Sequence, residues 1–287
     1  MLLTRPSVPA DIPAQRQLWQ LAFGDDGAYV DNFYRTYYRP ERVLVLEEDG
    51  QVRSMTAWFD TVFSLPGKGE YRAAYLYAVA THPDCRGRGL AAKLLADADA
   101  YFRSLGIPAV TTVPAQPSLH NFFGANGFRE CFVLREEALD LSTLPASGAA
   151  NPLRPASPKE YGAVREALLA GTPHIAYPED ALTYQAGCCA LGMGGLFVGE
   201  GPQGPLCLCA EDAGGDLVIL KECLGSGALE TAAPHLPVLF PGRRFLARTP
   251  APEAGENWAF AMLKWLHPEL ESAWDWSTRA YLGLAFD

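Results

Sequence analysis

The residues best suited to do chemistry in this chain lie in the short run Arg86-Gly87-Arg88-Gly89-Leu90-Ala91. Gly87 and Gly89 allow the backbone to approach a ligand closely, and the first amides of a helix that begins here have no partner inside that helix. Free amides at a helix N-terminus bind phosphate, and an arginine fork can hold two phosphate oxygens at once. The run therefore predicts a phosphate-binding loop.

The flanking segments predict a strand before this loop and a helix after it. Residues 75–81 are rich in aromatic and β-branched types, and Pro83 lacks the N–H that would continue strand pairing. No Gly-Lys-Ser/Thr follows, as it would in a Walker loop, and Ala92 stands where a dinucleotide fingerprint has its third glycine. After the loop, apolar residues recur at helical spacing, namely Leu90, Leu94, Ala98, Phe102 and Leu105, up to a stop at Gly106 and Pro108.

The spacing R-x-x-G-x-A, after an apolar strand that ends in His-Pro, resembles the pyrophosphate loop of the GNAT superfamily of coenzyme A-dependent N-acetyltransferases. The resemblance implies that acetyl-CoA is the cosubstrate and that its acetyl group moves to a primary amine by direct attack in a ternary complex. It also implies that one set of residues holds the diphosphate and that another pairs with the pantetheine arm at the end of the fourth strand. The first set is Arg86, Gly87, Arg88, Gly89, Leu90 and Ala91, and the second is Val79 and Thr81.

The catalytic groups depart from the pattern of that family. Its members often carry a tyrosine, just before a Gly-Phe corner, whose hydroxyl can protonate the departing thiolate, but here Phe123 holds that position ahead of Gly127-Phe128. Tyr77, near the expected thioester, is a candidate that replaces it, and Tyr75 and Tyr37 are alternatives. His120, on the same short helix as Phe123, is a candidate base. Asp287 is a third candidate, because the chain terminus reaches the active site in the enhanced-intracellular-survival group of acetyltransferases.

The order of predicted elements in the first half matches the GNAT fold. Periodicity and turn signals predict a strand, two helices, three strands, a helix, a strand, a short helix and a final strand. Their ranges are 2–5, a helix after Asp11, 28–38, 43–47, 51–63, 70–81, 90–105, 109–113, 118–125 and 128–139. We therefore expect an α/β fold with a mixed sheet, and the resemblance covers Met1 to about Leu141.

The second half repeats this plan in a weaker form. Leu153-Arg154-Pro155 echoes Leu3-Thr4-Arg5-Pro6, and a helix is expected after both runs. Strands are expected at 195–198, 205–211, 217–224, 245–248 and 280–286, a helix at 228–236, and a helix or strand at 258–266. The loop at 223–227 has no arginine and is expected to bind diphosphate poorly. The sequence thus predicts a tandem GNAT fold of the enhanced-intracellular-survival type, with an acetyl-CoA-binding domain at 1–143, a linker at 144–152 and a degenerate domain at 153–287.

Composition narrows the partners of the protein. The chain carries a net charge of −10 and lacks the basic stripe of a nucleic-acid binder. Its negative charge favours a small, cationic amine as the acceptor. No apolar run approaches the ~20 residues that span a bilayer, so we expect no membrane partner and a location in the cytoplasm. Seven cysteines without regular spacing indicate reduced core thiols rather than a metal site. The oligomeric state stays open, a homo-oligomer included.

Two alternative functions also fit the sequence. The phenylalanine at Phe123 is compatible with a coenzyme A-binding module that has lost turnover. The tandem layout is similar to that of the peptidoglycan-building aminoacyl transferases, although those typically lack so clean a coenzyme A loop. The enhanced-intracellular-survival relatives are longer than this chain, so their substrates are not carried over to it.

Overall fold

The computed structural model describes residues 1–140, 153–251 and 258–286. The strands in these ranges are β1 Leu2–Pro6, β2 Val43–Glu48, β3 Gln51–Leu65, β4 Gly69–Thr81, β5 Ala109–Thr112, β6 Arg129–Ala138, β7 Leu153–Pro155, β8 His174–Ala176, β9 Gly195–Gly201, β10 Gly204–Asp212, β11 Leu217–Leu224, β12 Arg244–Pro250 and β13 Trp258–Trp265. The helices are α1 Ile12–Phe23, α2 Gly27–Thr36, α3 Leu90–Ser104, α4 Pro117–Ala125, α5 Pro158–Leu169, α6 Glu179–Cys189, α7 Ala228–Ala232, α8 Leu236–Leu239 and α9 Pro268–Ala273. None of these described helices is long and apolar enough to cross a membrane.

The chain divides into two compact units. Within the described residues, the first comprises 1–63, 70–130 and 261–276, and the second comprises 64–69, 131–140, 153–251, 258–260 and 277–286. This division differs from the predicted domains 1–143 and 153–287 in its placement of residues 64–69, 131–140 and 261–276. The linker predicted at 144–152 lies outside the described residues, so the domain bounds stay a prediction.

The first unit is built on a mixed sheet with the strand order β1-β2-β3-β4-β5-β13. β1 with β2, β2 with β3 and β5 with β13 are antiparallel pairs, whereas β4 and β5 are parallel. Successive side chains of a strand point to opposite faces, which separates Leu76 from its neighbours Tyr75 and Tyr77 on β4. Leu76 belongs to the core under α3 and α4, and the two tyrosines contact Phe59 in an aromatic cluster that also includes residues of α1 and α2.

β13 carries a partly buried lysine that binds residues of the first unit. Met262 pairs with Thr112, and Lys264 on the same strand donates hydrogen bonds to the Asp99 carboxylate and, at 2.7 Å, to the Asn126 carbonyl. Burial raises the pKa of Asp99, and the hydrogen bond from Lys264 acts in the opposite direction. Because an unpaired carboxylate is costly in the interior, this pair explains why β13 lies beside β5. The strand predicted at 128–139 is present as β6, and it pairs antiparallel with β12.

The second unit has a mixed sheet of the same design, with the order β6-β12-β11-β10-β9-β7. β11 and β12 are parallel and the pairs β7–β9, β9–β10, β10–β11 and β6–β12 are antiparallel. The expected α/β fold with mixed sheets is confirmed. Residues 258–266 were expected to be a helix or a strand, and Trp258–Trp265 form a strand. One detail differs from the expectation: the terminal strand predicted at 280–286 is reduced to single bridges at Ala280 and Tyr281. In that segment the Leu282 carbonyl accepts a hydrogen bond from the Arg165 side chain instead.

Candidate functional site

The candidate site begins where β4 separates from β5. The parallel register between the two strands ends at Leu76 and Thr112, whereas β4 continues to Thr81. Directly after this point Ala78 has a φ of 49°, a left-handed conformation that residues other than glycine rarely adopt. Strained backbone of this kind persists only where surrounding structure enforces it, and it clusters at ligand sites. Backbone groups at residues 77–81 can therefore pair with a ligand amide on the β5 side.

β3 fixes the other side of this strand end. The Ser54 hydroxyl donates to the Ala80 carbonyl at 2.7 Å and lies 2.8 Å from the Thr81 hydroxyl oxygen. The Thr56 hydroxyl donates to the Tyr77 carbonyl at 3.3 Å. These contacts hold the end of β4 in place on one side only. Val79, one of the two residues predicted to pair with pantetheine, turns its side chain toward the core under α3, so that only its backbone is suited to the predicted role.

The loop that follows β4 has the shape predicted for a diphosphate cradle. Gly87 and Gly89 have φ values of 74° and 76°, and a Cβ added to either would meet no atom within 4 Å. Gly89 caps α3 without any side-chain hydrogen bond, so the first amides of the helix are not satisfied by a capping side chain. Leu90 is buried under the loop and Ala91 is half-buried, which anchors the start of the helix. The open space and the free helix start fit a diphosphate group.

The two arginines of the loop have different surroundings. Arg86 is exposed, and its Nε lies 3.4 Å from the Thr81 carbonyl oxygen. Arg88 instead makes a two-point ion pair with Glu48, with nitrogen–oxygen distances of 2.6 and 3.0 Å. The hydrogen bond from Arg88 lowers the pKa of the Glu48 carboxyl. The predicted contact of Arg88 with diphosphate stays a prediction, and Glu48 is a residue that sequence reasoning missed because it lies forty positions away on β2.

Tyr77 is the candidate catalytic residue that lies at the separation of the strands. Its hydroxyl oxygen is 2.9 Å from that of Tyr29 on α2, and its ring packs against Trp19 at a centroid distance of 5.3 Å. The Trp19 indole N–H in turn donates to the Asp25 carboxylate at 2.7 Å. Two helices thus fix the position of the Tyr77 hydroxyl. The sequence placed Tyr29 only in a general aromatic belt over α1 and α2 and gave no sign of its pairing with Tyr77.

The structure gives Phe123 and His120 surroundings different from those of Tyr77. Phe123 is 5% exposed and packs edge-on against Phe122 and Phe128, at 5.2 and 5.4 Å, so it is a core residue. His120 Nδ1 lies 2.6 Å from the Glu130 carboxylate. Asp287 lies outside the described residues. The structure therefore brings Tyr77 to the separated strands and leaves the role of the other two as predictions.

The corresponding loop of the second unit lacks these features. The β11–β12 register ends at Leu220 and Ala247, and Glu222 just beyond it is completely buried against Arg165. A Cβ added to Gly225 in the loop would lie 2.6 Å from the Pro205 carbonyl oxygen, so the space above the loop is already filled. The prediction of a poor diphosphate site in this half is consistent with that crowding.

Comparison with known proteins gives a family match for residues 4–127 and solved structures with a similar fold. Residues 4–127 match the family model described as an acetyltransferase (GNAT) domain, and no curated protein matches the chain. A probable N-acyltransferase of unknown function from Enterococcus faecalis is similar over 93% of this chain and 72% of its own, with 12% identity and a TM-score of 0.72. A GCN5-related N-acetyltransferase from Anabaena variabilis covers 93% and 73%, with 14% identity and a TM-score of 0.71. Eis1 from Mycobacterium abscessus covers 95% and 75%, with 13% identity and a TM-score of 0.68.

These similar structures extend over both units, so they bear out the tandem arrangement of the fold as well as its first half. The family match covers the strand end, the loop and α3, which are the elements that carry the cofactor site. Residues 4–127 are therefore similar to the acetyltransferase domain of the GNAT family, and the fold of the chain is that of the GNAT-type N-acetyltransferases.

Proposed function

We propose that the protein transfers the acetyl group of acetyl-CoA to a primary amine by direct attack in a ternary complex. The observation that carries the proposal is the separation of β4 from β5 after Leu76, with an open, glycine-flanked loop directly beyond it. A single continuous path thus runs from the part of β4 beyond its described register with β5 to the start of a helix. This path suits a long ligand with an amide-bearing arm at one end and a diphosphate at the other.

Each part of the path has residues suited to one part of the cosubstrate. The amides at the start of α3 and the exposed Arg86 would hold the diphosphate, and the backbone of Val79 and Thr81 would pair with the pantetheine arm. Acetyl-CoA, when bound, supplies an activated thioester. The residues of the chain would orient that thioester at Tyr77, beside the aromatic rings of Trp19 and Phe59.

Tyr77 is the proposed proton donor. Its hydroxyl is fixed by Tyr29 and stands at the first position of β4 beyond the last pair with β5. A phenol hydroxyl can give its proton to a departing thiolate, and such general acid catalysis typically speeds a reaction by about 10²–10⁴-fold. Phe123 has no hydroxyl to offer, and His120 and Asp287 remain candidate bases for the incoming amine. The acceptor is proposed to be a small cationic amine, since the chain carries a net charge of −10. Location in the cytoplasm and any homo-oligomer stay predictions.

A second candidate function follows from Phe123. If no other group supplies the proton, the first unit binds acetyl-CoA without turnover and acts as a coenzyme A-responsive module. The two functions are separated by measuring thiol release from acetyl-CoA across a panel of small amines, with calorimetry on the same sample. We expect one acetyl-CoA site per chain and saturable thiol release with at least one cationic amine. Tight binding without release by any amine would favour the binding module.

A further inference from the structure

Arg88 is the one loop residue whose side chain is committed to a partner outside the loop. Both terminal nitrogens of its guanidinium contact the two oxygens of Glu48, and Nη1 also lies 3.6 Å from the Cys85 sulfur. Such a parallel two-point contact is the most directional form of an ion pair. The Arg88 side chain is 46% exposed and that of Glu48 is 22% exposed, so the pair lies at the surface but is not fully solvated.

The backbone around Arg88 needs an external restraint. It lies between two glycines in the left-handed conformation, Gly87 and Gly89, and glycine loses more conformational freedom on ordering than any other residue. Glu48 is the last residue of β2, a strand paired with both β1 and β3, and is therefore a rigid anchor. A pair between a rigid strand end and the middle of a glycine-rich loop fixes the direction of the amides on either side of residue 88.

We propose that Glu48 is a positioning residue for the acyl-CoA loop: it holds Arg88 on β2, so that Arg88 shapes the cradle and Arg86 faces the diphosphate. The proposal rests on the proposed function, in which this loop binds the diphosphate of acetyl-CoA. Arg86 suits the role of a diphosphate ligand because, among the described residues, its side chain makes only one long contact, with the Thr81 carbonyl at the end of β4. Glu48 acts through Arg88 and touches neither substrate.

The test compares the affinity of acetyl-CoA, its dependence on salt, and kcat in four single variants and one double variant. Glu48→Gln and Arg88→Gln each break the pair, Arg86→Gln removes the proposed phosphate ligand, and Glu70→Gln removes one carboxylate from an exposed position as the charge-matched control. Because partly exposed ion pairs contribute modestly, we expect Glu48→Gln and Arg88→Gln each to raise Kd about three- to fivefold, and Glu48→Gln to leave kcat unchanged. The double variant should be no worse than either single variant, since both remove the same interaction.

Salt dependence separates shaping from direct contact with phosphate. Salt screens an attraction between exposed charges, so loss of a phosphate ligand makes Kd less sensitive to ionic strength. We expect Arg86→Gln to flatten the salt dependence and Arg88→Gln to leave it as in the parent protein. The proposal is overturned if Arg88→Gln flattens it equally, if Glu48→Gln tightens binding, or if Glu48→Gln matches the Glu70→Gln control. Failure of the proposed function looks different, since then Arg86→Gln would leave Kd unchanged.

Discussion

The two units of this chain repeat one sheet design but differ at the end of the strand that carries the site. In both, an edge strand and antiparallel neighbours lead to one parallel pair, β4–β5 in the first unit and β11–β12 in the second. In both, the longer strand of that pair continues beyond the last paired residue, to Thr81 and to Leu224. What lies in the space beyond is different. The first unit has an open loop with an exposed arginine, and the second has a crowded loop without one.

The second unit fills the corresponding space with its own chain. Glu222, beyond the last β11–β12 pair, accepts hydrogen bonds from Arg165 and from the Tyr161 hydroxyl at 2.7 Å. Burial raises the pKa of Tyr161 well above its usual value and the charge of Glu222 acts in the same direction, so the phenol stays a neutral donor. Arg165 also donates to the Leu282 carbonyl at 3.1 Å, and Gly283 lies so close that an added Cβ would meet the Glu222 carboxylate. The comparison teaches that one strand order accommodates either an open or a filled strand end, because a few side chains there decide between the two.

The largest expected effect is on the cofactor loop of the first unit. Arg86→Glu places a carboxylate where the diphosphate is proposed to lie, and two unit charges about 4 Å apart at an effective dielectric of about 20 repel by about 4 kcal/mol. We expect the affinity for acetyl-CoA to fall by about a thousandfold, with the fold unchanged because Arg86 is exposed. Isothermal calorimetry measures both affinity and stoichiometry. Unchanged affinity, or two sites per parent chain, would contradict the contrast between the units.

The next effect is on the stability of the second unit. Arg165→Met leaves Glu222 buried without its main cation, and removal of one partner of a buried pair typically costs about 3–5 kcal/mol. We therefore expect urea unfolding at markedly lower concentration. Arg244→Met is the matched control, because Arg244 and its partner Asp216 are both largely exposed. If the second unit is structural, acetyl-CoA affinity at low temperature stays the same in both variants. A change of affinity in Arg165→Met alone would mean that this unit shapes the site.

The sequence allowed the cofactor loop to be predicted because its signal is local. Arg86, Gly87, Gly89 and the helix that follows stand next to each other in the chain, and strand, loop and helix come in a fixed order. The same locality made the strand ranges of the first half accurate to a few residues, as for 43–47 against Val43–Glu48. The weak repeat at Leu153 was equally visible, since it is a short run that returns at the same place in the second sheet.

The parts that could not be predicted depend on residues far apart in the chain. The pairing of Glu48 with Arg88, of Tyr29 with Tyr77 and of Lys264 with Asp99 joins positions 40, 48 and 165 residues apart. Nothing in the local pattern around Lys264 indicates that its strand lies beside β5 rather than in the second sheet. The φ of Ala78 is likewise invisible, because alanine has no preference for that conformation. Tertiary contacts decide all of these.

A smaller effect is expected on catalysis at the strand end. Tyr77→Phe removes the proposed proton donor but keeps the ring against Trp19, so we expect kcat to fall by about 10²-fold with acetyl-CoA affinity unchanged. Tyr29→Phe removes only the hydrogen bond that orients that hydroxyl, and a lost hydrogen bond of about 1 kcal/mol corresponds to about a fivefold decrease. Steady-state kinetics of both variants with a saturating amine measures the difference. Full activity in Tyr77→Phe would exclude Tyr77 as the donor and return attention to His120 and Asp287.

The smallest expected effect concerns the edge strands β1 and β7, in each of which an arginine precedes a proline. Arg5 pairs with Asp11 at 2.7 Å and with Glu47 at 2.9 Å in a half-buried cluster, whereas Arg154 pairs with Glu160 at the surface. The hydrogen bond from Arg5 lowers the pKa of Asp11 below its usual 3.8, against the opposing effect of burial. The ion pair therefore stabilises the fold fully above pH 3.8, and its contribution is lost as the pH falls through the lowered pKa. We expect Asp11→Asn to lower the free energy of unfolding at pH 7 by about 1–2 kcal/mol and to weaken the loss of stability below pH 4, whereas Glu160→Gln leaves both nearly unchanged. Urea unfolding at pH 7 and pH 3.5 measures this, and equal losses in the two variants would mean that the two ion pairs are energetically alike despite their different burial.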